Sequence, residues 1–488
     1  MQISILTYIL LCPIIGILLI LFTPRTQVTA IRIISLVSAG LTVIFSFVAY
    51  ARFDPSNLNL QLEEKIPWLT QYGINYWNGV DGLNLGLIVL TAIVIFAGVI
   101  CSWKITYRVK EFFALLLFLV TGVFGVFMTM NLFFFFLFYE VAVLPMYLLI
   151  AIWGSTNKEY AALKLTLYLL LGSALMFTVF LAIYSIAGAQ TFDLMTIKEK
   201  VRFDPAFQNV AYIGLFIGCG VLAGCWPFHV WSPDGHVAAP TAVSMLHAGV
   251  LMKLGAYGII RVALFLFPEG AQFWAPFTVV LATFNILYGA MVATQQRDLK
   301  YVIGYSSVSH MGIVLLGIST LTVTGLNGAL FQMFSHGIMT ALFFACVGHI
   351  YDECHTRYFD ELGGLSRKIP ILGAFFIIGG LTGIGLPGLS GFPSELLVLV
   401  AAIKTYPIAG ICTAIGVVVT TFYVLSAILK AFFGPLNTHF EHIHDLDRWQ
   451  YFGRAILVVF LVLLGVLPQL FLNTVNPITN FLLKVIKV

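Results

Sequence analysis

Apolar runs of about 20 residues, the length an α-helix needs to cross the hydrocarbon core of a bilayer, recur fourteen times along this chain. They fall near 3–22, 31–50, 83–102, 112–130, 132–152, 163–187 and 208–226, then near 241–266, 275–294, 301–319, 326–350, 371–404, 407–433 and 453–472. Little chain is left over, and the longest connections, 51–82 and 434–452, hold too few apolar residues for an independent core. Only 9% of the 488 residues are charged, 60% are hydrophobic and the mean hydropathy is +0.99. Soluble domains carry about a quarter charged residues, so a water-soluble fold is excluded. The sequence predicts an all-α polytopic membrane protein of about fourteen transmembrane helices.

The remaining composition narrows the function. A net charge of +4, with Lys and Arg scattered singly through loops, argues against nucleic acid as a partner and for membrane topology. Counted by side, loops after odd-numbered spans hold fourteen Lys and Arg and the other loops hold eight, which places both termini away from the cytoplasm. The seven cysteines lie mostly within apolar runs and form no C-x-x-C pair, so they read as small buried hydrophobes, not disulfides or cluster ligands. The first run starts at Ile3 without a basic flank or a small-residue cleavage site and is expected to stay as a membrane helix. Beyond Pro477, Phe481, Leu482, Val485 and Ile486 alternate with Lys484 and Lys487, a pattern for a segment lying at the membrane surface.

Two spans are interrupted. The seventh ends in Trp226-Pro227-Phe228-His229 and passes Pro233-Asp234-Gly235 and Pro240 before the apolar pattern resumes, and the twelfth is cut by Leu386-Pro387-Gly388-Leu389-Ser390-Gly391. Proline removes a backbone donor, so carbonyls are freed at depth and survive only where protein or water satisfies them. Paired interruptions point to inverted repeats with an ion path at their interface. The predicted organisation is three N-terminal helices (1–111), two inverted five-helix repeats with broken helices seven and twelve (112–266 and 275–433), and a last helix with an interfacial C-terminus (453–488).

Ionisable residues stand inside the spans: Glu140 in the fifth, Lys253 in the eighth, His310 and His336 in the tenth and eleventh, and Glu395 past the break of the twelfth. An ionised group at the bilayer centre costs about 2.5 to 3.5 kcal/mol, so such residues face the bundle interior, pair, and mark ion or proton routes. Burial and neighbouring charges bring carboxylates and lysines toward neutral pH, and histidine needs little help. Each has a structural alternative. Glu140 and Lys253 could form a fixed ion pair, either histidine could rest on Ser306, Ser307, Ser309 or Ser335, and Glu395 could cap the second half-helix. Lys164 is a secondary candidate, since a lysine near a helix entrance can snorkel. His349, Asp352, Glu353, Cys354 and His355, and the histidine-rich loop from His439 to Asp447, give no zinc spacing and read as a solvated loop or a subunit contact. No nucleotide, flavin or haem motif is present, so no cofactor is assigned to this chain.

The segments Pro227-Phe228-His229-Val230-Trp231-Ser232-Pro233-Asp234-Gly235-His236, Ala239-Pro240-Thr241 and Leu251-Met252-Lys253-Leu254-Gly255 resemble the signature shared by complex I antiporter-like subunits and multisubunit cation/proton antiporters. Tyr305-Ser306-Ser307-Val308-Ser309-His310 and Leu386-Pro387-Gly388 through Glu395 fit the same family, and the resemblance covers essentially the whole chain. Glu395, where other members usually carry lysine, and the absence of a long lateral C-terminal helix resemble the M-type branch. The resemblance implies a proton path through Glu140, Lys253, His310, His336 and Glu395, with NADH, FMN, iron–sulfur clusters and quinone held by partner subunits. L-type and N-type neighbours in a bacterial inner membrane are implied as well. His229 and His247 join Lys164 as secondary candidates. The family's helix-seven lysine, the usual partner of the helix-five glutamate, is Leu222 here. His247, six residues before Lys253, is a candidate to take over part of its role. Two other readings stay open: a sodium/proton antiporter subunit without redox coupling, and a membrane-arm subunit that has lost pumping.

Overall fold

The computed structural model describes residues 4–186 and 190–486. Ile3, Ala187 and Lys487 lie outside them, as do the side chains of Val485 and Ile486.

The chain opens with α1 (Ile5–Phe22) and α2 (Val28–Arg52), then departs from the all-helical expectation. Within the 51–82 connection, β1 (Gln61–Leu69) and β2 (Ile74–Val80) pair as an antiparallel hairpin. It is held from outside: Ser4 Oγ donates to Leu62 O at 2.5 Å, Thr7 bonds Glu64, and Lys65 meets Asp193 at 2.9 Å. A connection without its own core can thus still be ordered by its neighbours.

The helices α3 (Leu85–Cys101), α4 (Val109–Met128), α5 (Leu132–Trp153) and α6 (Lys158–Ile186) follow, then a short α7 (Leu194–Lys200). The seventh expected span is α8 (Pro205–Ala223), a turn, and α9 (Trp231–Ala238). Next comes one continuous rod, Thr241–Leu264, made of α10 (Thr241–Leu246), a π turn at His247–Leu251, α11 (Met252–Gly258) and a second π turn at Ile259–Leu264. The second half runs through α12 (Pro268–Thr294), α13 (Leu299–Ser319) and α14 (Val323–Cys354). The twelfth expected span is two helices, α15 (Pro370–Gly383) and α16 (Gly391–Thr405), followed by α17 (Pro407–Phe432), α18 (Arg448–Val466) and α19 (Gln469–Ile486). Twelve of the described helices, the rod counted as one, are long and apolar enough to span a membrane; α3 is one residue short of that length, and α15 is shorter. The last span ends earlier than expected, at Val466, and Pro477 lies inside α19 instead of beginning it.

Polar side chains fix where helices start. Asn131 accepts from Phe133 N and Phe134 N, Asp204 from Phe207 N just before Pro205, Asp298 from Lys300 N, and Thr322 from Gly325 N. At the breaks, glycine takes the left-handed backbone that other residues avoid: Gly224 (φ 74°) ends α8, and Gly385 (φ 70°) and Gly388 (φ 93°) shape the turn after α15. The freed groups find partners in neighbouring helices. Asn285 of α12 accepts from Trp226 N at 2.7 Å, and Ser390 N donates to Leu461 O of α18 at 2.9 Å.

The rod, α13 and α14 form the centre of the bundle, nearly every residue of each enclosed by other helices, whereas α2, α17 and α18 keep broad outward-facing sides. Several cations expected in loops belong to this interior. Lys300 and Arg357 are buried near Asp298, with Arg357 Nε 2.7 Å from its carboxylate, and Arg454 is buried within α18. Each reaches a backbone carbonyl or a carboxylate, which offsets its desolvation. The cluster at 349–355 is not a free loop either. Helix α14 runs through it to Cys354, and buried His349 lies 3.2 Å from His444 O while Glu353 accepts from His444 N, so the two histidine-rich segments pack on each other.

Candidate functional site

The three central helices and α16 bring four of the five primary candidates into one row. Lys253, fully buried in the rod, places Nζ 2.8 Å from His336 Nδ1 on α14. The His336 and His310 rings are 5.2 Å apart, and His310 Nδ1 lies 3.1 Å from Glu395 Oε1 on α16. Local backbone geometry makes this reach possible. In the first π turn Met252 N bonds His247 O, five residues back, which leaves Ala248 O free of its usual partner; Lys253 Nζ takes it. Gly249 and Gly337 face each other where the rod crosses α14: a Cβ on Gly337 would stand 2.6 Å from Gly249 O. A larger residue there must push the helices apart. Gly337→Val is expected to destabilise the fold by about 1–3 kcal/mol through overpacking, read as a lower thermal midpoint in detergent.

Gln332, one helical turn before His336, joins the row without having been singled out by sequence. Its Nε2 lies 3.2 Å from His310 Nδ1 and 3.3 Å from Glu395 Oε1, and Ser394 Oγ donates to its Oε1 at 2.5 Å, which fixes which end of the amide faces the histidine. A single ring nitrogen serves one role at a time. Unprotonated, Nδ1 accepts from Gln332; protonated, it donates to Glu395. The amide can follow either state. Ser306, Ser307, Ser309 and Ser335 bond Tyr423, Ile303 O, Ile286 O and Ser390 instead, so they do not satisfy the histidines. Nor does Glu395 cap its half-helix, because its carboxylate turns inward to His310 and Gln332.

Toward the other end, the His236 ring on α9 lies tilted against His247, 4.1 Å between ring centres, and His247 in turn stacks 5.1 Å from the Trp231 ring. His236 Nε2 contacts Ser232 Oγ at 3.1 Å. Nearby, Lys300 Nζ donates to Ala239 O at 2.9 Å and lines a cavity of about 400 Å³ with Thr241, Tyr351 and Asp352. Glu395 lines a second cavity of about 160 Å³ with Gly385 and Thr413. The row thus meets a cavity at its Glu395 end.

Other candidates stand apart. Glu140 is half-buried on α5 with Ser173 as its polar neighbour, and among the described residues it has no ion-pair partner. Leu222 is fully buried in α8 among apolar residues. Lys164 is not left to snorkel: Asp234 holds it at 2.7 Å and also accepts from Tyr301 OH. His229 lies edge-on to Tyr288, 4.9 Å between ring centres, with no hydrogen-bond partner among the described residues for either nitrogen. Arg261, already inside the expected span 241–266, forms a buried bidentate pair with Asp81. Its signal in the sequence was intramembrane charge; Asp81 had none, because it follows a strand in what reads as a loop.

Broken helices around a buried lysine–histidine–carboxylate row define an antiporter-like membrane protein with many spans. Residues 129–422 match the family model described as NADH:quinone oxidoreductase/Mrp antiporter, transmembrane, and the chain belongs to that family. It is 37% identical to a protein of Gloeobacter violaceus named NAD(P)H-quinone oxidoreductase chain 4, over 98% of this chain and 93% of that one. It is 35% identical to NADH-quinone oxidoreductase subunit M of Rickettsia prowazekii, over 99% of this chain and all of the other. Among solved structures, a chain of respiratory complex I from Thermus thermophilus superimposes with a TM-score of 0.91 at 27% identity, each covered to 99%. A chain of the Mrp complex from Dietzia shares the fold alone, with a TM-score of 0.87 at 19% identity.

Proposed function

We propose that this chain is the M-type proton-translocating subunit in the membrane arm of an NADH:quinone oxidoreductase, and that protons cross it along Lys253, His336, His310 and Glu395. The observation that carries this reading is the row from Lys253 Nζ to Glu395 Oε1, with a polar contact at each end and two histidine rings 5.2 Å apart between them, whose Glu395 end lines a cavity. His247 and His236 extend the row toward the Lys300 cavity and are its feeding end. Glu140 is a peripheral acceptor, since Leu222 supplies no cation to fix it.

Moving one proton against 100 mV costs about 2.3 kcal/mol. A side-chain row can gate that transfer but not drive it. Quinone reduction in partner subunits, which hold NADH, FMN and the iron–sulfur clusters, supplies the energy, and L-type and N-type neighbours flank this chain in a bacterial cell membrane. The matching breaks after α8 and α15 support two inverted repeats. The hairpin and α19 share the face of both termini, the non-cytoplasmic one in this reading. With Lys300, Arg357 and Arg454 removed from the loop count, the remaining bias of eleven against eight still favours it.

The test is NADH- and quinone-dependent proton uptake into vesicles holding the assembled complex, with and without sodium. Uptake that persists without sodium supports the reading. An absolute requirement for sodium assigns the chain to sodium/proton exchange instead.

A further inference from the structure

The rod that carries Lys253 also connects two faces of the molecule. Thr241 at its start lines the Lys300 cavity, and Arg261 near its end lines another, of about 780 Å³, beside the hairpin. Leu60, Phe265 and Phe481 wall this second cavity, and Glu63, Lys198 and Glu199 supply its charged lining. The Asp81–Arg261 pair also lines it. Arg261 Nη1 and Nη2 lie 2.7 and 2.6 Å from the carboxylate oxygens, and the two side chains are 2% and 6% exposed for Arg261 and Asp81. From Arg261 the bonds continue inward: Nε donates to Tyr257 OH at 2.9 Å, and that hydroxyl donates to Phe127 O at 3.1 Å. Lys253, Tyr257 and Arg261 follow at intervals of four, so they share one face of the rod, each about 6 Å further along its axis.

A latch between hairpin and rod explains a bond between Asp81 and Arg261, but not the rest. Two buried charges cost desolvation that a neutral hydrogen-bonded pair would avoid. Here they stand between a cavity with ionisable walls and a hydroxyl one turn from the buried lysine. We propose that Asp81 and Arg261 gate a second proton limb, from Lys253 through Tyr257 to the hairpin face. This rests on Lys253 carrying protons. The gate is closed as observed: the fixed guanidinium charge repels an approaching proton, and its hold on Tyr257 keeps the hydroxyl turned to Phe127. It opens when Arg261 swings toward Glu63 or Glu199. Water admitted to the opened gate then carries a proton from the Lys253 ammonium to the Tyr257 oxygen, while the tyrosine hydroxyl turns from Phe127 O and gives its own proton to the Asp81 carboxylate. Lysine is left neutral, tyrosine unchanged and aspartic acid protonated, and the acid releases its proton to the cavity.

A latch and a gate differ in symmetry. Either partner's loss breaks a latch equally, whereas a gate loses its plug with one and its carrier with the other. In vesicles containing the assembled complex, an imposed pH gradient should decay several-fold faster with Arg261→Gln, and Lys253→Met added to it should restore the slow decay. Asp81→Asn should leave the decay slow yet lower the protons pumped per electron. Equal behaviour of the two variants, or a leak that survives loss of Lys253, overturns the gate. Should neither variant assemble, Tyr257→Phe, which keeps the ring and removes only the hydroxyl, decides: reduced pumping supports the limb and unchanged pumping overturns it. Silence of the Arg261, Asp81 and Tyr257 variants leaves the main row standing, whereas normal pumping by Lys253→Met alone removes both.

Discussion

Lys253→Met is expected to reduce quinone-driven proton uptake to the passive background while the complex still assembles. Methionine matches the unbranched stem of lysine and fills a buried site without strain, so packing around the rod should persist. What disappears is the proton-binding nitrogen that bonds Ala248 O and His336 Nδ1. With no titrating group at the centre, the His247 end and the His310 end are disconnected. Electron transfer per assembled complex can fall with pumping if the two are tightly coupled, so the decisive quantity is protons moved per electron. An unchanged ratio would sink the proposed row and favour a subunit that only holds the membrane arm together. Loss of assembly is tested separately by the amount of complex recovered, which separates a missing proton carrier from a missing helix.

Much of this was legible in the sequence because lipid imposes simple rules. Long apolar runs marked the spans, and the Pro and Gly clusters at 227–240 and 386–391 marked both breaks. Rare mid-span charge identified Lys253 and Glu395. Contacts made across the fold were harder to see. Gln332 is one more polar residue in a helix until Ser394 and Glu395 arrive from α16, 62 and 63 residues away. Lys300 and Arg357 sit at span ends, where periodicity cannot distinguish a solvated cation from one folded back onto Ala239 O or Asp298. The hairpin was missed for the same reason. Its strands lack a core of their own and are held by Ser4, Thr7 and Asp193 from distant parts of the chain. The π turn before Lys253 left no signal in residue type at all, yet it decides which carbonyl the lysine meets.

Glu395→Gln is expected to cost nearly as much pumping as loss of Lys253, with little effect on stability. The amide has the volume of the acid and keeps an oxygen for Gln332 Nε2 and for a protonated His310 Nδ1, so the geometry around Gln332 and Ser394 is retained. It removes the carboxylate that His310 Nδ1 faces, the last group able to take a proton into the cavity beside Gly385. The row would then accept protons at its histidines and lack the exit into the cavity beside Gly385. A helix-capping role predicts the reverse pattern, since an amide oxygen caps about as well as a carboxylate and pumping would survive. Comparing protons per electron in Glu395→Gln with those in Gln332→Leu orders the two contributions. Loss with the first and a smaller decrease with the second makes Glu395 the terminal acceptor and Gln332 its positioning residue. Normal pumping with Glu395→Gln would instead end the row at His310 and require a different exit.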